Sequence, residues 1–486
     1  MLGIVVAGWA VGSPDLPPAT LPPLQPNKLY GVGLPHGDVT PATSCAAASC
    51  HGGGQTGRPG SELSTWARDR SVKKHQPQDP HSRAFQVLFN ADSVRMAGLL
   101  EPEKSKRVPP HQNSLCLKCH AVAGATNEQV TAEGVGCAAC HGSSENWLTM
   151  HYLPSWKAMS NREKADCGFI PTKNLVARIS NCATCHVGGA DREVNHDLIA
   201  AGHPRLAFEY TRFHFEPTYQ KHWSEKLEPA DFESRAWVIG QVASLRAAVE
   251  VLRGRAERAA ARDPHTPWPE FSEGSCYACH QNVARNPFPD QPGTTPLRGV
   301  QGGRQRRSGA IPWQTWYSSL GDTHDILAGG GPIVDLAALR TEMQRRMPDP
   351  HKVMEHSEKV LAALEDRLAR WQAAEDNGTI PQFTPERARD LGQELAAGAL
   401  TEACELRDYD WDFVAQRYLG LAAIYHASGG ASEIAGWRPP LDRLRKALAF
   451  TAAGGGQFNS PPDYQPRAAA CPLVELRTIT TSRSSR

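Results

Sequence analysis

Five times the chain sets a pair of cysteines directly before a histidine. Four of these are C-x-x-C-H: Cys116/Cys119/His120, Cys137/Cys140/His141, Cys182/Cys185/His186 and Cys276/Cys279/His280. The one nearest the N-terminus, Cys45/Cys50/His51, keeps the ending but puts four residues between its cysteines. Attaching c-type haem takes two thiols that form thioethers with the porphyrin vinyl groups and an adjoining histidine under the iron. Tetrahedral zinc or an iron–sulfur cluster would use the cysteines and leave the histidine after every pair without a reason. Repeated redox dithiols leave it equally unexplained. The pattern therefore predicts five covalently bound haem c groups, with His51, His120, His141, His186 and His280 as proximal iron ligands. The longer Cys45–Cys50 spacing requires a bulged loop to present both thiols. Three of the 13 cysteines, Cys167, Cys404 and Cys471, lie outside the motifs, and an odd remainder excludes a fully paired set of disulfides.

A low-spin electron-transfer haem needs a second strong axial ligand. Taking the five proximal histidines from the chain's 19 leaves 14, whereas the methionines number seven and include Met1. Bis-histidine ligation is the better expectation for most sites. His81 opens HSRAF ahead of the apolar run 87–89, where it can start a short helix and turn its ring inward. His151 lies in the aromatic segment WLTMHYLPSW. His196 and His203 bracket NHDLIAAGH, two helical turns apart and on one face if the segment is helical, so they could serve two haems. His214 sits among Phe213, Phe215 and Tyr219, a setting equally suited to a core or propionate-contacting histidine. These five are the candidate distal ligands. His36, His75, His111 and His324 stay open, and His351, His356 and His426 fall in segments without haem motifs.

The elements that must position these groups divide the chain at about residue 300. All motifs fall between Cys45 and His280, and the pentahaem module is assigned to 21–300. Haem is itself a large apolar core element, so regular structure around it should be sparse, with short helices and Pro-, Gly-, Asn- and Asp-rich loops. One longer helix is expected near 237–258, where Val238, Val242, Leu245, Val249 and Leu252 recur at helical spacing. The region 301–486 reads as haem-free and helical. One helix should start at Asp349–Pro350, an N-cap followed by a first-turn proline, and bury Val353, Val360, Leu364, Leu368 and Trp371. Others are expected over 384–400 and 410–427. The fold class is mainly α. The helical region could pack around the haems, form a homodimer, or do both.

Residues 1–20 are apolar up to Val11 and then small and proline-rich, like the end of a secretory signal and its cleavage zone, although no basic residue precedes them. Haem c is normally attached outside the bacterial cytoplasmic membrane, so the expected location is the periplasm. No later stretch reaches the roughly 18–20 apolar residues needed to span a bilayer. The formal charge of the polypeptide is +1. Five bis-histidine ferric haems with ionised propionates would move it to roughly −4, a balance that does not favour nucleic acid. The arginines at 298, 304, 306 and 307 lie among glycines and read as a solvated loop.

Several segments resemble the bacterial multihaem cytochrome c family that includes the tetrahaem cytochrome c554 of ammonia oxidisers. They are SCAAASCHGG at 44–53, DPHSRAFQVLF at 79–89, EGVGCAACHG at 133–142, CATCHVGGADREVNHDLIAAGHPRLAFE at 182–209 and WPEFSEGSCYACH at 268–280. A weaker echo lies at 410–426. The resemblance implies a largely helical protein with closely stacked haems, and distal-ligand roles for His81 and for the histidines of the NHDLIAAGHPR segment. This chain differs from the tetrahaem member in its greater length, its fifth motif and its helical C-terminal third. The leading expectation is an electron carrier between redox protein partners, soluble or peripheral to a membrane-associated respiratory complex. The alternative is a multihaem oxidoreductase acting on a small nitrogen or sulfur compound at one haem with an open coordination position.

Overall fold

The computed structural model describes residues 29–32, 39–53, 60–67, 79–215, 230–276, 312–314, 316–320, 334–400, 410–428, 434–450 and 466–481. The signal-like segment 1–20, Cys404, Cys279 and His280 lie outside the described residues. Among those described the protein is mainly α, and its β pairing consists of two isolated bridges, Gly189 with Arg192 and Gly274 with Trp313. No described helix is long and apolar enough to cross a membrane.

Around the motifs the chain forms short helices and single 3-10 turns, most of them of one or two turns. The helix near 237–258 runs further, over Phe232–Ala260. An apolar stripe would bury one side only; here 21 of its 29 residues are buried, Arg235, Arg246 and Arg255 among them. Small residues account for the difference. A Cβ on Gly254 would come within 2.7 Å of the Ala190 carbonyl oxygen, and one on Gly240 within 3.3 Å of Tyr210 Cβ. The buried guanidiniums keep partners: Arg246 pairs with Glu250 and Glu365, and Arg255 with Glu193 and Glu273. Leaving such charges unpaired in the interior would be prohibitive.

Four features of the C-terminal region follow directly from local sequence. Asp349 caps the helix Pro350–Asp376 by accepting from the His351 amide at 3.0 Å. That helix buries Val353, Val360, Leu364, Leu368 and Trp371, the residues that its periodicity places on one face. Thr384 caps Pro385–Gly398, and Asp410 caps Trp411–Ala427. Two further helices, Arg438–Leu448 and Pro466–Thr481, pack beside them.

Phe232–Ala260 packs against Pro350–Asp376, against Trp411–Ala427 and against Leu175–His186, the helix that carries the fourth motif. One apolar core consequently joins Leu175, Ile179 and Ala183 to Leu364, Leu368 and Trp411. The late helix also caps the motif helix directly. Glu375 Oε2 accepts from the amides of Leu175 at 2.7 Å and Val176 at 3.3 Å, two donors that a helix start leaves without intrahelical partners. Asn174 Nδ2 donates to the Gln372 carbonyl and to Asp376. The position of Cys182, Cys185 and His186 thus depends on residues nearly 200 positions later.

Candidate haem-binding site

A C-x-x-C-H sequence wound into one helical turn brings its two thiols and its imidazole to one side. Three motifs take this form. Cys116, Cys119 and His120 end the helix Ser114–His120, capped by Asn113. Cys137 to His141 form a five-residue helix. It stops at Gly142, whose φ of +80° and close approach to the Gly168 carbonyl leave no room for a Cβ. Cys182, Cys185 and His186 close the helix Leu175–His186. The stretched motif is built differently. Cys45 ends a 3-10 turn, and the extra residues fold into a tight turn in which Ala47 O accepts from the amides of Cys50 and Gly52. This is the bulge that the longer spacing requires.

The imidazoles come together in facing pairs. His51 and His151 have ring centroids 6.2 Å apart with planes inclined by 17°. His186 faces His81 at 5.9 Å and His120 faces His203 at 6.4 Å, both with planes 89° apart. Each pair joins a motif histidine to one from a distant segment. A metal–imidazole bond of about 2.0 Å and a further ~1.1 Å to the ring centre, counted on both sides, give a separation of about 6.2 Å. The three pairs therefore have the spacing of two imidazoles on opposite faces of one iron. Among the described residues no group of three or more His, Cys, Asp or Glu is arranged to hold a metal ion on its own.

Hydrogen bonds fix how these rings point. The Nδ1 atoms of His120, His151 and His203 lie 2.8, 2.7 and 2.8 Å from the carbonyl oxygens of Ala84, Leu148 and Pro204. Those of His51 and His81 lie 3.1 and 2.8 Å from carboxylate oxygens of Glu62 and Asp79. Carbonyls and carboxylates accept only, so Nδ1 carries the proton and Nε2 keeps a lone pair for a metal. Burial, together with the charge of His81, lowers the His186 pKa to about 3, and burial lowers those of His120 and His203. All three are held neutral, the form in which imidazole binds iron. Burial also disfavours the charged form of His81, but the adjacent Asp79 outweighs it and raises that pKa.

The thiols of different motifs adjoin. The Cys45 and Cys137 thiols lie within hydrogen-bond reach, which lowers the Cys45 pKa and raises that of Cys137. Cys119 and Cys185 form a second such pair, with Cys185 at about 6 and Cys119 raised. Half-buried Cys140 has its pKa raised by desolvation, and the neighbouring Ala139 carbonyl accepts at 3.0 Å from Asn181 Nδ2, on the helix of Cys182 and Cys185. The motif sites consequently follow one another in space as 45–51, 137–141, 182–186 and 116–120.

Residues 46–142 match the family model for cytochrome c554 and c-prime. This cytochrome c554-like segment is about a fifth of the chain. It holds Cys50 and His51 together with the complete motifs at 116–120 and 137–141, and over it the chain is a c-type cytochrome. No curated protein and no solved structure matches the chain.

Beyond the cytochrome c554-like segment, the fifth motif is described as far as Cys276. Its Sγ lies 3.4 Å from Nη1 of Arg205, which is paired with Asp412 at 2.6 Å. Ser275 hydrogen-bonds Asp410, so two acidic residues at the start of Trp411–Ala427 reach this motif. His196 packs edge-on to Phe271, and its backbone amide donates to the Glu270 carboxylate at 2.8 Å. It does not share a helix face with His203: the helix covers His196–Ala200, and Gly202 with φ +116° turns the chain before His203. His214 is buried, hydrogen-bonded at Nδ1 to Tyr210 and packed against Phe215 and Phe232. Sequence reasoning missed Glu62, Asp79, Arg205 and Asp412. Of these, Asp79 had a local signal, because the pattern D-P-H lets its carboxylate cap the turn and hold the His81 ring at once.

Proposed function

We propose that this protein is a periplasmic multihaem cytochrome that carries electrons between redox protein partners through five covalently attached haem c groups. The observation that carries the reading is the set of three facing histidine pairs at 5.9–6.4 Å. In it His51 and His151, His186 and His81, and His120 and His203 are the axial ligands of three irons. The haems are attached through Cys45/Cys50, Cys116/Cys119, Cys137/Cys140, Cys182/Cys185 and Cys276/Cys279. His141 and His280 are the proximal ligands of the remaining two, and His196 and His214 the candidates to complete them.

Six-coordinate iron changes oxidation state without bonding substrate, and haems whose attachment thiols touch are close enough to exchange electrons. The adjacency of Cys45 to Cys137, of Ala139 to Asn181 and of Cys185 to Cys119 supports one continuous path. The protein's groups supply attachment, a neutral imidazole lone pair on each face and a fixed ring orientation. Electron paramagnetic resonance of the oxidised protein tests the reading. Predominantly low-spin iron is expected; a dominant high-spin signal that changes on adding nitrite, hydroxylamine or sulfite would replace the carrier with an oxidoreductase.

A further inference from the structure

The Nδ1 acceptors fall into two chemical kinds, and the difference follows the sites. Both histidines of the 116–120 site, His120 and His203, donate to backbone carbonyls. The 45–51 site has one carbonyl acceptor, Leu148, and one carboxylate, Glu62. At the 182–186 site His81 donates to the carboxylate of Asp79. Neither carboxylate is a loose surface group. The Gly60 amide donates to both oxygens of Glu62 at 3.0 Å, which fixes the carboxylate beside the His51 ring. Asp79 is 2% exposed and also accepts from the His81 amide at 3.0 Å.

A carbonyl and a carboxylate both orient the ring, but their effect on the iron differs. An ionised acceptor draws the Nδ1 proton further, gives the imidazole imidazolate character and makes Nε2 a stronger donor, which favours ferric over ferrous iron. Its negative charge, held against the far side of the ring, also opposes the added electron. We propose that Glu62 and Asp79 are positioning residues that each lower the reduction potential of one haem, so that of the three paired sites the 116–120 haem is reduced first. The proposal rests on the axial-ligand reading above. It gives electron flow a direction: from the 45–51 and 182–186 haems toward the 116–120 haem.

Glu62→Gln and Asp79→Asn keep an acceptor oxygen and remove the charge. Redox titration of the fully haem-loaded protein, followed optically and by electron paramagnetic resonance, reads each site separately. Near-parallel imidazole planes at His51/His151 and perpendicular planes at the other two pairs give different low-spin signals. In E62Q the near-parallel haem should become more reduced at fixed potential by tenfold or more, a shift of about 59 mV for a one-electron couple. In D79N one perpendicular haem should shift likewise, and the other sites should stay in place. Glu62→Asp, which restores the charge, should return the potential toward that of the unaltered protein. Unmoved potentials with all low-spin signals retained would overturn the inference and leave the axial pairs standing, as would E62D behaving like E62Q. Absence of low-spin signals from the unaltered protein would instead remove the axial-ligand reading itself.

Discussion

The rings of His51 and His151 lie nearly parallel, 17° apart, whereas His81 and His186 stand at 89°. One hundred residues separate the first pair in sequence and more than one hundred the second. Ring planes set how the iron d orbitals split, so the two kinds of pair differ in spectrum. The oxidised protein should show one rhombic low-spin signal from the His51/His151 haem and two large-g signals from the perpendicular pairs. Spin quantification against the five haems of the chain checks that at least one iron gives the rhombic signal and at least two give large-g signals.

His203 provides a direct test of distal ligation. Its Nδ1 is tied to the Pro204 carbonyl and its ring faces His120. His203→Ala should convert one haem from low-spin to five-coordinate or water-bound high-spin iron while haem content stays at five. The H203A spectrum should lose a perpendicular-type signal, because the affected pair is inclined by 89°. An unchanged low-spin count would remove His203 from the ligand set.

The bulged motif predicts a stoichiometry. Pyridine haemochrome quantification of the unfolded protein should return five haems per chain. The double substitution C45A/C50A should return four, with the near-parallel signal lost, since both thioethers of that haem are removed. Four in the unaltered chain would mean that the tight turn at 46–50 does not present both thiols.

Arg205 and Asp412 join the fifth motif to the late helix Trp411–Ala427 through a buried ion pair. Asp412→Ala leaves a guanidinium buried beside Cys276 without its carboxylate, and should destabilise the fold by about 3–5 kcal/mol. Chemical denaturation followed by far-ultraviolet circular dichroism measures the loss. The R205M/D412L double variant should recover much of it, because the cost lies mainly in the uncompensated charge.

Leu364 and Leu368 are fully buried where Pro350–Asp376 meets Phe232–Ala260. Leu364→Ala should cost about 2–5 kcal/mol by cavity formation. Because the same core includes Ile179 and Ala183 on the fourth motif's helix, unfolding should also release the His186 haem from its low-spin state. Two separate transitions, one for the late helices and one for the haems, would contradict that shared core.

What the sequence by itself determined was local. The C-x-x-C-H spacing puts two thiols and an imidazole within one helical turn, the arrangement that c-type haem attachment takes. Asp349, Thr384 and Asp410 start helices because their side chains satisfy amides only two or three residues ahead. The apolar period of 353–371 defines its own buried face. Tertiary structure alone decided which histidine faces which, since a second imidazole must arrive within about 6 Å from a segment whose path depends on the packing of the whole core. It also decided that Phe232–Ala260 is buried on nearly every side, that Glu375 caps the fourth motif's helix, and that Gly202 turns His203 away from the face of His196. The choice of Glu62 and Asp79 over backbone carbonyls belongs here too. A hydrogen-bond acceptor is selected by where a ring comes to rest, and that is set by contacts made across the fold.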